Sequence, residues 1–453
     1  MEIKGKTVLA AGMARSGVSA AKLLYRYGAH VIVYDKKSYN EISSLVEELK
    51  TTVHCEFCLG QEPDTLLKKL DLIVMSPGIP TDVPFLVKAE AMGIKVISEV
   101  ELAYQYCKAP ILAVTGTNGK TTTTTLLGEI VKASGRTTHT AGNIGVPFTA
   151  GVEDMDPSHM AVVEISSFQL QTVDEFRPWI SLILNLTPDH LDRHKTMGNY
   201  LAAKARIFEN QGEGDFIILN GEDSLLKELK PDNGSKVFFF SRLRALKEGA
   251  WVENGNIMIN TGKGALSICP VEQVSIPGAH NLENALASAL AAALTGVESS
   301  VIARVLKEFP GVEHRIEKVD TIDGVSYYND SKGTNPDSSI KAIETIKGSV
   351  VLIAGGFDKK AGFSDFVDAF GTKIKELVLL GETADIIAAA AKEKGFTNIH
   401  MTKTMEEAVE KACTLSCPGW NVLLSPACAS WDMFQDFEER GRIFKEAVKA
   451  LRG

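Results

Sequence analysis

At 453 residues the chain is too long for one ordinary core, and at roughly 150 residues per domain it predicts about two to four domains. Hydrophobic residues make up 45% and charged residues 23%, an ordinary globular composition, while 48 basic against 57 acidic side chains leave a formal charge of −9. That balance excludes a general nucleic-acid binder and a ligand of acidic membranes, so any anionic substrate must be met by local positive groups.

At the N-terminus, MEIKGKTVLAAGM carries a short apolar stretch into a glycine turn and has no signal-peptide cleavage pattern. No apolar run is long enough to span a bilayer. The best candidate, Ala285 to Val297, predicts an alanine-rich buried helix, and no membrane insertion is expected. Residues 6–37 read strand, glycine turn, amphipathic helix, strand, with Asp35 ending the second strand, which is the opening of a Rossmann-like unit. Its turn is Gly12-x-Ala14-x-x-Gly17, and Ala14 stands where dinucleotide folds use glycine, which weakens a nicotinamide site. The runs LDLIVMSPGIP and IKVIS continue a parallel sheet that closes near Ser98. Cys55 and Cys58 form a C-x-x-C without a second ligand pair, and seven scattered cysteines predict reduced, structural thiols in a cytoplasm.

The next segment, ILAVTGTNGKTTTTT, runs an apolar strand into Gly116-Thr117-Asn118-Gly119-Lys120-Thr121-Thr122 and on into a helix. Glycines let backbone N–H groups turn toward a phosphate, the helix offers its positive end, Lys120 reaches the outer phosphates and Thr121 suits Mg²⁺. Val114 replaces the first glycine of the full phosphate-loop pattern, so the strand and helix on either side carry much of the specificity. Buried-type strands follow in MAVVEISS, WISLILNLTPDH and GDFIILN. Glu164 ends the first of these, beside Ser166, where phosphate-loop enzymes keep an acid for Mg²⁺. By its own context His190 reads as a helix-terminus residue, after Thr187 as cap and Pro188 at the first helical position. Lys204, in YLAAKARIFEN, reads as a solvated lysine on an amphipathic helix. His280-Asn281-x-x-Asn284 opens a nearly all-apolar helix with two amides on one face, although capping needs only one. After Pro310-Gly311, Arg315 and then Asp330-Ser331-Lys332-Gly333-Thr334-Asn335 and Gly355-Gly356-Phe357-Asp358-Lys359 put charge at strand ends.

The expected fold is α/β with three sequential domains: a Rossmann-like domain over 1–98, a central phosphate-loop ATPase-type domain with a mainly parallel sheet over 99–311, and a second Rossmann-like domain over 312–453. In order and spacing along the whole chain, the motifs GTNGKTT, EISSFQL, TPDHLDRH, AAKARIF, HNxENALA, HR, NDSKGTN and SPACASWDMF resemble those of the ATP-dependent Mur ligases. The SSFQL stretch and the C-terminal SPACASWDMF, followed by Phe437-Glu438-x-Arg440-Gly441, are similar to the branch that joins D-glutamate to UDP-N-acetylmuramoyl-L-alanine.

The resemblance implies an acyl-phosphate route and changes the reading of several residues. It implies that Lys204 is carbamylated and with His190 holds one Mg²⁺, while Thr121 and Glu164 hold a second beside ATP. Asn281, Asn284, Arg315 and Asp330 would contact ATP. Asn143, Ser166 and Asp35 would face the UDP-linked substrate, with Thr334, Lys359, Ser430 and Phe437 around D-glutamate and Lys332 as a further phosphate contact. A cytoplasmic monomer is expected. The nearest alternative is a ligase of the same superfamily adding another amino acid or making folylpolyglutamate, against which the C-terminal motif speaks. A phosphate-loop switch or motor would not need the polar cluster of the third unit.

Overall fold

The computed structural model describes residues 1–358 and 362–452. Among them the strands form three sheets, each built around continuous apolar runs that are buried on both faces, as parallel interior strands must be. The first contains β1 (Thr7–Ala11), β2 (His30–Asp35), β3 (Cys55–Leu59), β4 (Leu72–Met75) and β5 (Lys95–Ser98), all parallel, in the order β3-β2-β1-β4-β5.

The second sheet has nine strands: β6 (Ile111–Thr115), β7 (Thr138–Gly142), β8 (Met160–Glu164), β9 (Ile180–Ile183), β10 (Phe216–Asn220), β11 (Lys236–Ser241), β12 (Gly249–Glu253), β13 (Asn256–Asn260) and β14 (Leu266–Pro270). Their order is β14-β13-β12-β11-β10-β9-β6-β8-β7. Strands β7 to β12 pair in parallel, and β12 to β14 turn antiparallel. This antiparallel end goes beyond the mainly parallel sheet expected from the sequence. Its signal is Asn254-Gly255, whose φ of 50° and 74° make the tight turn between β12 and β13. Strand β6 is the switch point: β8 lies on one side and β9 on the other, so the loops leaving their carboxyl ends diverge there.

The third sheet runs β15-β16-β20-β17-β18-β19, with β15 (Glu317–Ile322) antiparallel to β16 (Val325–Asn329), and β17 (Val350–Ala354), β18 (Ile374–Leu379), β19 (Ile399–Met401) and β20 (Asn421–Leu424) parallel. Alternate residues of β17 feed two cores: Leu352 packs with Phe366 and Leu377 on one face, while Val351 and Ile353 pack with Val422 and Phe444 on the other. The chain separates into two compact units, Met1–Val274 with Glu283–Glu308, and Ser275–Leu282 with Phe309–Gly453. No helix among the described residues is long and apolar enough to cross a membrane.

One local expectation fails. Thr187 and Pro188 do not start the helix after β9; that helix is Leu191–His194, and its N-cap is His190 in the left-handed region at φ 53°. Thr187 is drawn elsewhere, its N–H donating to Thr117 Oγ1 at 3.1 Å and its carbonyl accepting from that hydroxyl at 3.2 Å.

Candidate active site

The loop after β6 turns on two glycines. Gly116 and Gly119 have φ of 152° and 82°, and the second ends at the helix Lys120–Ala133. Thr117 N–H donates to the Asn185 carbonyl at 3.0 Å, and Asn118 and Asn185 exchange two bonds of 2.8 and 3.0 Å, so the loop after β9 clamps the phosphate loop. Lys120 Nζ donates to the carbonyls of Gly116 at 2.9 Å and Thr117 at 2.8 Å, which keeps the ammonium at the loop mouth. A Cβ on Gly119 would lie 2.3 Å from Asn284 Oδ1, so the predicted amide on the helix Ala279–Leu294 does reach the loop. Ser288, one turn further, bonds the carbonyls of both Asn284 and Thr123 at 2.8 and 3.2 Å and joins the two helices. Asn281 is buried and donates to the Pro277 carbonyl at 2.7 Å.

Glu164, 1% exposed at the end of β8, is the hub of the site. Its Oε2 accepts from Thr121 Oγ1 at 2.9 Å and its Oε1 from Asn143 Nδ2 at 2.9 Å. Asn143 gets there because Gly142, at φ 110°, lies so close to β8 that a Cβ would stand 2.2 Å from the Glu164 carbonyl. All the oxygen groups of Thr121 and Glu164 are of the hard type that Mg²⁺ prefers.

Lys204 overturns its reading as a solvated side chain. It is 1% exposed, and Nζ donates to the Gly116 carbonyl at 2.8 Å and lies 4.6 Å from the centre of the Tyr200 ring. Burial first, and the Lys120 ammonium second, hold its pKa well below the ordinary lysine range. His190 sits half-buried with Nε2 3.6 Å from Asp189 Oδ2 and its ring edge-on to Phe168. Sequence reasoning passed over the neighbours that set this geometry: Tyr200 OH lies 3.3 Å from Thr117 Oγ1, and buried His194 bonds Ser167 Oγ at 2.9 Å and stacks on Phe168.

Toward the first sheet, Arg193 lies 4.0 Å over the Phe168 ring and donates to the carbonyls of Pro77 and Ile79 at 3.0 and 3.2 Å, which fixes the Ser76-Pro77-Gly78 turn. Asp35 accepts from the N–H groups of Met13 at 2.8 Å and Lys37 at 2.9 Å, tying the end of β2 to the glycine turn after β1. Cys55 and Cys58 lie on β3 with thiol pKa values raised by burial, the direction opposite to that of a metal-binding thiolate.

In the second unit the carboxyl ends of β16, β17 and β20 gather the remaining polar residues. Asp330 is fully buried. Its Oδ2 accepts from Ser425 Oγ at 2.8 Å and its Oδ1 lies 3.7 Å from Arg315, yet burial outweighs both and raises its pKa to about 6. Lys332 Nζ lies 4.8 Å from the centre of the Phe437 ring. Thr334 follows in the same turn, its N–H bonded to the Lys332 carbonyl, and Ser430 is buried just after Ala429, which bridges to Phe357. Lys359 lies outside the described residues. The sequence motif around Arg440 gives it no role. Its guanidinium, 2% exposed, donates to Ser331 Oγ and to the carbonyls of Ser331, Cys428 and Ala429 over 2.7–3.2 Å. It therefore splints the Lys332 turn to the Ser430 turn.

The chain matches the Mur ligase MurD-like N-terminal domain over residues 6–98, the Mur ligase middle domain over 114–292 and the Mur ligase glutamate ligase domain over 314–428. It is 51% identical over 454 residues to the UDP-N-acetylmuramoylalanine–D-glutamate ligase of Thermoanaerobacter pseudethanolicus, with 100% of both chains covered. The corresponding ligase of Clostridioides difficile is 46% identical over 453 residues, again with 100% of both covered. Among solved structures, MurC from Thermotoga maritima superposes with a TM-score of 0.62 at 19% identity, covering 98% of this chain and 100% of that one. MurF from Acinetobacter baumannii gives 0.64 at 16% identity, covering 98% and 93%. These superpositions speak to the fold alone.

Proposed function

Because this chain belongs to the Mur ligase family, and to its D-glutamate-adding branch, we infer that it joins D-glutamate to UDP-N-acetylmuramoyl-L-alanine with consumption of ATP. The reaction makes an amide for peptidoglycan precursor synthesis. A carboxylate is a poor electrophile, so the L-alanyl carboxylate oxygen attacks the γ-phosphorus of ATP, the bond to ADP breaks, and an acyl phosphate forms. The D-glutamate amine then attacks the acyl carbon, loses a proton, and phosphate leaves. The observation that best supports this reading is the Glu164 carboxylate, bonded on one oxygen by Thr121 of the phosphate loop and on the other by Asn143. One carboxylate thus joins the residue assigned to the nucleotide side to the residue assigned to the UDP-linked substrate.

The roles are assigned as follows. The 116–122 loop, Asn281, Asn284, Arg315 and Asp330 hold ATP, with Lys120 and Lys332 aligning its phosphates. Asp35, Asn143 and Ser166 hold the UDP-linked substrate, and Thr334, Lys359, Ser430 and Phe437 hold D-glutamate. Thr121 and Glu164 would hold one Mg²⁺, and His190 with a carbamylated Lys204 a second; bound there, Mg²⁺ offsets the repulsion between two anions. The buried, deprotonation-prone amine of Lys204 favours this assignment, since a neutral amine is the form that adds CO₂. Domains spanning 1–98, 99–311 and 312–453, and a cytoplasmic monomer, complete the proposal. Phosphate release with D-glutamate, L-glutamate, L-lysine or meso-diaminopimelate as acceptor tests the reaction: turnover with D-glutamate alone is expected, and turnover with another amino acid refutes the assignment. A carbamate carbon signal after ¹³C-bicarbonate labelling, lost in Lys204→Arg, tests the modification.

A further inference from the structure

The helix Glu99–Tyr104, directly after β5, carries an acid that the reaction above does not use. Glu99 is 2% exposed, its Oε1 accepts from Gln169 Nε2 at 2.7 Å, and its Oε2 has no partner. Leaving a buried carboxylate oxygen unsatisfied costs stability, and an apolar residue of similar size would avoid that cost. What Glu99 Oε1 supplies is an acceptor for one particular amide, and it remains one when a proton sits on Oε2.

Gln169 stands between two groups with opposite demands. Its Oε1 accepts from both Ser166 N–H at 2.8 Å and Ser166 Oγ at 2.9 Å, while its own N–H donates back to Ser166 Oγ at 3.3 Å. The Ser166 backbone N–H can only donate, and Glu99 Oε1 accepts whether or not Oε2 carries a proton, so the amide is pinned from both ends. With its proton committed to Gln169, the Ser166 hydroxyl has an acceptor lone pair left for a ligand and no proton to give. Such a hydroxyl suits an N–H or O–H group and not an anionic oxygen.

We propose that Glu99 is a positioning residue for the UDP-linked substrate, holding Gln169 so that Ser166 presents an acceptor to a donor group of the sugar or its acyl substituents. This rests on the assignment of Ser166 to that substrate. Without an acceptor at position 99, Gln169 Nε2 becomes a buried donor with no partner, and the side chain leaves Ser166 to find one.

The experiment measures KM for UDP-N-acetylmuramoyl-L-alanine, KM for ATP and kcat in the full chain. Glu99→Leu and Gln169→Glu each raise KM for the UDP-linked substrate at least fivefold, with KM for ATP within twofold and kcat within threefold of the parent. Glu99→Gln keeps an acceptor and stays within twofold. The exchange Glu99→Gln with Gln169→Glu restores the pattern, since the amide introduced at position 99 can donate to the carboxylate introduced at position 169, which still accepts from Ser166, and it returns KM to within threefold. A packing role alone would not be rescued by that exchange. Ser166→Ala separates the two levels: if it leaves KM unchanged, the Ser166 assignment fails, and this proposal with it. If Ser166→Ala raises KM while Glu99→Leu and Gln169→Glu do not, or if the exchange restores nothing, the proposal alone is overturned. Should Gln169→Glu fail to fold, the contrast between Glu99→Leu and Glu99→Gln decides.

Discussion

Gly119→Ala tests the steric logic of the phosphate loop. Position 119 sits at φ 82°, and there a Cβ would stand 2.3 Å from Asn284 Oδ1, against about 3.4 Å for ordinary contact. The left-handed backbone alone costs an alanine about 1 kcal/mol. The remaining overlap of about 1 Å forces the Asn284 side chain out of its place, because its helix is pinned through Ser288 to the phosphate-loop helix. A hydrogen bond to a charged ligand is worth about 1.5–3 kcal/mol, so if Asn284 makes the ATP contact proposed for it, its displacement weakens ATP binding roughly tenfold to hundredfold. Gly135→Ala is the matched control, with φ 91° and nothing within 4 Å of the new Cβ. Both variants lose the backbone share in denaturant unfolding. Only Gly119→Ala loses affinity for a non-hydrolysable ATP analogue in titration calorimetry. Parental affinity in Gly119→Ala, or an equal loss in Gly135→Ala, would refute the reasoning.

Glu164→Gln keeps the shape of the hub but removes its charge, and kcat is expected to fall by about 100-fold or more in the phosphate-release assay; chelation of divalent cations stops turnover in the parent, and added Mg²⁺ restores it. Arg440→Lys retains a charge but not the planar fork, so KM for D-glutamate rises about tenfold while KM for ATP holds, and an unchanged KM for D-glutamate would remove Arg440 from the site. Burial raises the Glu99 pKa to about 7 from 4.5. The native state therefore keeps this proton longer than the unfolded chain, and its stabilising contribution is present below about 4.5 and lost as pH rises toward 7, by up to about 3 kcal/mol. Asp330, raised to about 6, acts with the same sign, so Glu99→Gln flattens only part of the slope in urea unfolding between pH 5 and 8; an unchanged slope would show that Glu99 does not titrate in this range.

Local sequence determined much of this protein. The run ILAVT followed by Gly116-x-x-Gly119-Lys120-Thr121 specifies a buried strand, a turn that requires positive φ and a helix start, and all three are found there. Glu164 at the carboxyl end of MAVVE was equally legible, since a buried apolar run must end where its pairing ends. Lys204 was not. Its helix offers no sign that this lysine faces inward, and its burial against the Gly116 carbonyl depends on how the helix Met197–Ala205 docks on the phosphate loop. Neither was the helix start after β9, where Thr117, 70 residues away, captures Thr187 and leaves His190 as the cap. Glu99 and Gln169 are likewise 70 residues apart. Backbone conformation and burial period are set by neighbours along the chain and can be read from it. The protonation of Lys204 and the polarity of Ser166 are set by groups that only folding brings together, because desolvation and hydrogen-bond partnership belong to the packed interior and not to the residue.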